Sequence, residues 1–131
     1  LPGAAARRAA DPAFLAVDDV ERAVDRRIAT LAATVALRRH ARGAATGERA
    51  GRDLRDVRLL VGSGGVLRHA PADMSGQVLT AVLADHAGGW ALPRAAAAVV
   101  DADYVLAAGG LLAEEHPAAA QALLRHHLRT H

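Results

Sequence analysis

Apolar residues recur every three or four positions between residues 18 and 42, which is the spacing of one face of a helix. The members of this stripe are Val20, Val24, Ile28, Leu31 and Val35. Acidic residues occupy the first turn and basic residues the last, an arrangement that suits the helix dipole. The pattern predicts one long amphipathic helix over 18–42, capped by Asp18 or Asp19 and ended by Gly43.

Two short apolar runs predict strands. Residues 57–61 are apolar almost without interruption, as in strands buried on both faces, and residues 95–100 predict a second strand weakened by its alanines. The order helix, strand, helix, strand, helix, helix indicates α/β layering. The helices after the first are predicted to run from Asp73 or Ser75 to about His86, from Asp101 onwards, and from Pro117 onwards.

Finer expectations concern the ends and faces of these helices. With Ser75 as N-cap, Met74 and Leu79 would form a hydrophobic staple. Gly109 and Gly110 interrupt the helix after Asp101, either as a tight packing point or as a break. The buried side of the helix from Ser75 is expected to comprise Leu79, Val82, Leu83 and His86.

Residues 1–17 show no clear period, so they are predicted to be a linker or a frayed N-terminal segment, and the folded lobe is predicted to span 18–131. Two short strands do not make an independent sheet. Because the chain also starts at Leu1 and has Met74 as its single methionine, we expect a fragment whose partner, an N-terminal lobe, is missing.

Composition narrows the chemistry. The sequence has no cysteine and no lysine, which excludes disulfides, thiolate metal sites, cysteine nucleophiles and a P-loop lysine within this chain. The abundance of alanine and arginine indicates a bacterial-like, high-GC coding genome. No uncharged apolar stretch is long enough to span a bilayer, so we expect no membrane partner and a cytoplasmic location.

The strongest local signal for chemistry is the turn Gly62-Ser63-Gly64-Gly65, which follows the first predicted strand. Residues without side chains let the backbone approach a ribose or a base, and ligands of open α/β sheets gather at the carboxyl ends of strands. The spacing matches neither the G-x-G-x-x-G fingerprint nor a Walker loop. From the residues alone, a nucleotide-binding role and a plain tight turn both remain open.

No catalytic residue and no metal ligand is predicted. Ser63 lacks the G-x-S-x-G spacing of a nucleophile elbow. His127 and His131 are four residues apart, but no carboxylate in that final turn completes a metal site. The terminal histidines are therefore expected to face solvent.

Two longer segments follow a recognisable order. Residues 53–71 read D-L-R, an apolar strand, G-S-G-G-V-L and then H, and residues 101–117 read D-x-x-Y-V-x-A-A-x-G-L-L-A-x-x-H-P. Together they resemble the C-terminal part of the glutamate mutase L proteins (MutL or GlmL, unrelated to mismatch-repair MutL), over residues 18 to about 128. Ser63 replaces the usual threonine, Arg52 stands where lysine is common, and the segment before Asp53 is shorter than usual.

The resemblance implies a helix-rich α/β C-terminal lobe of an actin/Hsp70-like (ribonuclease H-like) ATPase fold. It also implies an accessory, reactivating protein for an adenosylcobalamin-dependent glutamate mutase-type enzyme, with the mutase subunits as partners. Gly62, Ser63, Gly64 and Gly65 would contact the adenosine of ATP or ADP. The phosphate-binding loops and the acidic residue that binds Mg²⁺ would lie in the missing N-terminal lobe, so this chain alone is not expected to be catalytic.

Two other functions fit the sequence less well. A small helical protein-interaction module with no nucleotide role would dock through an exposed Ala/Leu surface. An arginine-rich nucleic-acid binder is disfavoured by a net charge of only +2 and an aromatic content of 2%, so no nucleic-acid partner is expected.

Overall fold

The computed structural model describes residues 1–42 and 51–128, which form a helix-rich α/β arrangement with two short parallel strands. The long first helix and both strands are confirmed, although the strands are shorter than predicted; Gly43 lies outside the described residues. No helix among the described residues is long and apolar enough to cross a membrane. The elements are α1 (Pro2–Ala10), α2 (Asp19–Arg42), β1 (Leu59–Gly62), α3 (Gly65–Arg68), α4 (Ala72–Leu83), β2 (Ala97–Val100), α5 (Val105–Glu115) and α6 (Pro117–His127).

The two strands pair in parallel, with Leu59 opposite Ala97 and Gly62 opposite Val100. Parallel strands need a long crossover, which here runs through α3, α4 and the loop after α4. Helix α4 lies between α2 and the sheet and contacts both. The core is built from small and medium aliphatic side chains, so each contributes a modest buried area: Leu54, Val78, Leu79, Val82, Leu92, Val99, Val105 and Ala120.

Helix α2 buries its predicted apolar stripe only in part. Val20 is 73% exposed, Leu31 38% and Val35 42%, and no residue of the helix is fully buried. Within the described chain, α4 and the short α3 pack against α2, and the residues around Pro2 line a cavity together with Leu31 and Val35 of this helix. A long apolar surface therefore remains accessible along α2.

Residues 2–10 form helix α1, whereas the sequence predicts a linker or frayed segment there. Alanine favours helix, and Pro2 stands in the first turn, where it is tolerated. The Arg8 guanidinium donates to a Glu21 carboxylate oxygen of α2 at 2.5 Å and also to Asp25. The Arg8 hydrogen bond holds the pKa of Glu21 below its ordinary value. These long-range ion pairs hold α1 against α2. No local pattern in residues 1–17 predicts them.

The start and end of α4 differ from the prediction. The helix begins at Ala72 after Pro71, so Ser75 is not an N-cap: it is 3% exposed inside the helix, with its hydroxyl 3.2 Å from the Pro71 carbonyl oxygen. The proposed staple of Met74 and Leu79 is accordingly wrong. Proline at the cap position starts the helix earlier than a serine cap would. His86 lies beyond the end of α4 and is exposed, so it does not belong to the buried side.

Helices α5 and α6 form an antiparallel hairpin and pack mainly on each other. Gly109 is buried at their crossing, where a Cβ atom would lie 2.8 Å from Cδ2 of Leu124. The adjacent Gly110 faces open space. Of the two alternatives for this glycine pair, the packing point is correct, since α5 continues through both residues; Pro117 takes the first position of α6 as predicted.

An ion pair joins α2 to the segment after α4. The Arg38 guanidinium donates to both Asp85 carboxylate oxygens, at 2.7 and 2.5 Å, across 47 residues of sequence. The Arg38 hydrogen bonds lower the pKa of Asp85 from its ordinary value. Arg38 therefore makes a tertiary contact, in addition to placing a basic residue near the C-terminal end of α2.

The two glycines of α5 provide a matched test of the hairpin. Gly110→Ala enters open space and gains helix propensity, which is expected to stabilise the chain by about 0.5–1 kcal/mol. Gly109→Ala forces a Cβ atom against Leu124 and is expected to cost about 1–3 kcal/mol. Urea unfolding followed by circular dichroism would rank the variants; equal stabilities would show that α5 and α6 do not meet at Gly109.

The Arg38–Asp85 pair predicts a pH-dependent stability difference. Because the folded-state pKa of Asp85 is lowered, its contribution is present above the unfolded pKa of about 4 and is lost as pH falls through the folded value. Asp85→Asn is expected to be less stable than the wild type at pH 7, and this difference in stability is expected to shrink as the pH falls below about 5. Asp56→Asn, at an exposed residue, is the control; a gap that stays constant with pH would contradict the pairing.

Candidate functional site

The carboxyl ends of β1 and β2 lie side by side and bring two segments together. The first is the turn of residues 62–65, and the second is the loop from Asp101 to Tyr104 that leads into α5. The Asp101 N–H donates to the Gly62 carbonyl oxygen at 2.8 Å, which extends the pairing by one residue beyond the strands. This edge is where open α/β sheets ordinarily bind ligands.

The four residues of the predicted site lie in different surroundings. Gly62 is buried, and a Cβ atom there would lie 2.8 Å from both Leu67 and Leu79, so this glycine is needed for packing. Gly64 has a φ of 122°, a conformation that favours glycine, and a Cβ atom there would meet nothing within 4 Å. Gly65 is exposed and equally open. The open part of the turn is therefore Gly64–Gly65.

The Ser63 side chain is used within the protein. Its hydroxyl lies 3.1 Å from Oδ2 of Asp101. Asp101 is buried, with 1% of its surface exposed. Oδ1 of Asp101 accepts the Val105 N–H at 2.7 Å, and Oδ2 accepts the Leu106 N–H at 3.3 Å. Asp101 therefore caps α5, as the sequence predicts, although Tyr104 precedes the helix directly. That the same carboxylate also fixes the glycine turn was not predicted.

Two cavities adjoin the open glycines. One of about 430 Å³ lies between α2 and α4 and reaches the turn from its apolar side, where it is lined by Ala33, Leu37 and Val82. The other, of about 620 Å³, is bounded by Gly65 and, among others, by Phe14, Arg26, His69 and Met74. Both volumes fall in the range of roughly 300–1,000 Å³ that is usual for small-molecule sites.

One arginine on the wall of the larger cavity has no partner among the described residues. Arg22 pairs with Asp19, and Asp25 is bound by Arg8, so these charges are neutralised locally. The Arg26 guanidinium has no hydrogen bond or ion pair to any residue of the described chain, although it is half-buried. The cavity thus combines apolar walls, open backbone and a single positive charge.

Tyr104 has an unusual backbone conformation at the rim of this edge. Its φ of 60° and ψ of 38° lie in the left-handed region, where a bulky residue is strained by roughly 1–2 kcal/mol. Within the described ranges it is the only residue besides glycine with a positive φ. Its side chain is half exposed, and the Arg68 guanidinium lies 5.3 Å from the centre of its ring.

The D-L-R segment has a structural explanation. Leu54 enters the core, and its N–H donates to the Ala91 carbonyl oxygen at 2.8 Å. Asp53 and Arg55 form an exposed pair, and the Arg55 hydrogen bonds lower the pKa of Asp53 to about 2. These residues start the path to β1 and do not reach the glycine turn.

The arrangement at this edge is suited to binding. The serine hydroxyl of the turn faces a carboxylate that is itself held by two backbone N–H groups, which is a structural hydrogen-bond network. In the portion of the chain that is described, no three His, Asp or Glu side chains are grouped as a metal site would require. Exposed backbone at Gly64–Gly65 next to two cavities is what a ligand would meet.

The Asp101 network yields a stability prediction. Asp101→Ala removes the α5 cap and leaves the Ser63 hydroxyl and two N–H groups without their acceptor, so it is expected to cost about 2 kcal/mol or more. Ser63→Ala is expected to cost about 1 kcal/mol. Asp103→Ala, which breaks an exposed contact to His127, serves as control and should cost less than about 1 kcal/mol. If urea unfolding shows that Asp101→Ala and Asp103→Ala lower the free energy of unfolding equally, this role of Asp101 is refuted.

Comparisons with known proteins give one result. Neither a search of curated proteins nor a search of solved structures returned a significant match. The family model described as MutL protein matches residues 2–128, which is nearly the whole chain and includes both the glycine turn and the Asp101 loop. The chain therefore belongs to the MutL protein family, the glutamate mutase L proteins.

Proposed function

We propose that this chain is the adenosine-contacting C-terminal lobe of an ATPase-like accessory protein. The protein would reactivate an adenosylcobalamin-dependent mutase of the glutamate mutase type, and the mutase subunits would be its partners. Membership of the glutamate mutase L family supports the association with a mutase. The nucleotide role rests on the site itself.

The observation that carries the nucleotide role is the open backbone at Gly64–Gly65. Cβ atoms at these two positions would meet nothing within 4 Å, whereas the buried Gly62 is closed by Leu67 and Leu79. Of the four residues implied by the family resemblance, Gly64 and Gly65 would therefore face the nucleoside, while Gly62 and Ser63 would shape the turn. The cavity beside Gly65 has the size and the apolar walls that a purine nucleoside requires.

The two-stranded sheet supports an additional lobe. Leu59 of β1 is 44% exposed, and each strand has one neighbour within the described chain. Sheets of two strands are rarely stable alone, and unpaired strand edges are ordinarily covered. An actin/Hsp70-like (ribonuclease H-like) fold, with an N-terminal lobe that supplies the phosphate-binding loops and the acidic Mg²⁺ ligand, would provide that cover.

A helical interaction module without a nucleotide role is the second candidate. The observation that favours it is the exposed apolar surface: Val20 on α2 is 73% exposed and Leu111 on α5 is 75% exposed. Such a surface fits a protein partner as well as it fits a covering lobe. The two candidates differ in whether the glycine turn matters for a ligand.

Substitutions in the turn test the nucleotide role in the intact protein. A ligand at 100 times its Kd stabilises the folded state by about 2.7 kcal/mol, so ADP is expected to raise the melting temperature of the wild type by several degrees. Gly65→Val adds a branched side chain where the backbone is open and φ is not positive, so it should abolish the ADP shift with little loss of basal stability. Gly64→Val should abolish it as well, with added backbone strain.

Gly76→Ala is the matched control, since this glycine of α4 also faces open space but lies away from the turn in sequence. It should keep the full ADP shift. An ADP shift that survives Gly65→Val would refute the assignment of this turn and favour the interaction module.

A further inference from the structure

Arg68 and Tyr104 come from the two segments that follow the two strands. Arg68 is the last residue of α3, and its N–H donates to the Gly64 carbonyl oxygen at 2.9 Å, so it lies one helical turn from the open glycines. Tyr104 directly precedes α5 in a strained left-handed conformation. The guanidinium of Arg68 lies 5.3 Å from the centre of the Tyr104 ring.

This contact leaves the hydrogen-bonding edge of the guanidinium available. A cation–π contact attracts the positive charge to the face of the ring and uses none of the N–H donors of the guanidinium. Both side chains are exposed, so the donors are accessible from solvent. The ring therefore holds a cation nearby without neutralising its charge.

The acidic side chains nearest in sequence to Tyr104 are committed elsewhere. The Asp101 carboxylate accepts from the Ser63 hydroxyl and from two N–H groups of α5. The Asp103 carboxylate lies 2.6 Å from Nδ1 of His127. Arg68 has no carboxylate partner anywhere in residues 1–42 and 51–128. Its positive charge stands unpaired beside the glycine turn.

We propose that Arg68 binds a phosphate group of the nucleotide, and that Tyr104 is the positioning residue that holds Arg68 for it. This inference rests on the function proposed above, because that function places the nucleoside at Gly64–Gly65. A planar guanidinium with free N–H donors is the side chain that best matches a phosphate, which accepts two parallel hydrogen bonds from it. The strain at Tyr104 has a use on this view, since it aims the ring under Arg68.

Isothermal titration of the intact protein with adenosine, ADP and inorganic phosphate separates the possibilities. Arg68→Ala is expected to lower the affinity for ADP by about tenfold or more, while the affinity for adenosine stays within about twofold of the wild-type value. Arg27→Ala, at an exposed arginine of α2, should change neither ligand. Inorganic phosphate alone should give no heat that depends on Arg68; such heat would assign Arg68 to free phosphate and overturn the proposal.

Tyr104 variants test positioning. Tyr104→Phe keeps the ring and should bind ADP like the wild type. Tyr104→Asn suits the left-handed backbone but lacks the ring, so it should weaken ADP severalfold while adenosine affinity stays unchanged. If Arg68→Ala lowers the affinities for adenosine and ADP equally, or lowers neither, this inference alone is overturned. A wild type that binds no adenosine would instead refute the proposed function on which it rests.

Discussion

The buried carboxylate of Asp101 is the interaction on which the candidate site depends. Asp101 follows β2. Its carboxylate accepts hydrogen bonds from the Ser63 hydroxyl in the turn after β1 and from the first N–H groups of α5. A carboxylate at 1% exposure is costly to desolvate unless its oxygens are satisfied, and here both of them are. One side chain thus fixes the glycine turn, the ends of both strands and the start of α5 relative to each other.

Small side chains set how the rest of the chain packs. Alanine, valine and leucine bury modest areas, so the elements approach closely where glycine allows it. Gly62 under Leu67 and Leu79, and Gly109 under Leu124, are two such close approaches. Ion pairs add the longer connections, between α1 and α2 through Arg8, and between α2 and the end of α4 through Arg38.

Much of the fold could be predicted from local patterns. The stripe from Val20 predicted α2, the Asp18 cap is confirmed by its 2.8 Å bond to the Glu21 N–H, and proline and aspartate correctly marked the starts of α6 and α5. Helix α1 could not be predicted in this way, because its order depends on ion pairs across 13–17 residues. Of the two predicted starts of α4, Asp73 lies one residue after the observed start at Ala72 and Ser75 lies three residues after it, and the local pattern did not choose between them.

The position of the glycine turn could be predicted, but the surroundings of its four residues could not. The run of glycines after the first strand correctly indicated a turn at the carboxyl edge of the sheet, while its nucleotide-binding role stays a prediction. Which glycine is open depends on Leu67 and Leu79, whose packing is a tertiary fact. The left-handed backbone of Tyr104 and its contact with Arg68 could not be predicted either, since sequence motifs report neither a backbone angle nor a tertiary contact.

The hairpin of α5 and α6 has a consequence for how the molecule opens. Its two helices contact each other far more than they contact the body, and polar contacts at its base include the Asp101 cap and the Asp103–His127 pair. Such a unit can detach cooperatively while the sheet and α4 stay folded, so its amide protons would exchange together through a sub-global fluctuation. Because Asp101 at the base of the hairpin also accepts a hydrogen bond from the Ser63 hydroxyl, detachment of the hairpin would remove one contact that holds the glycine turn.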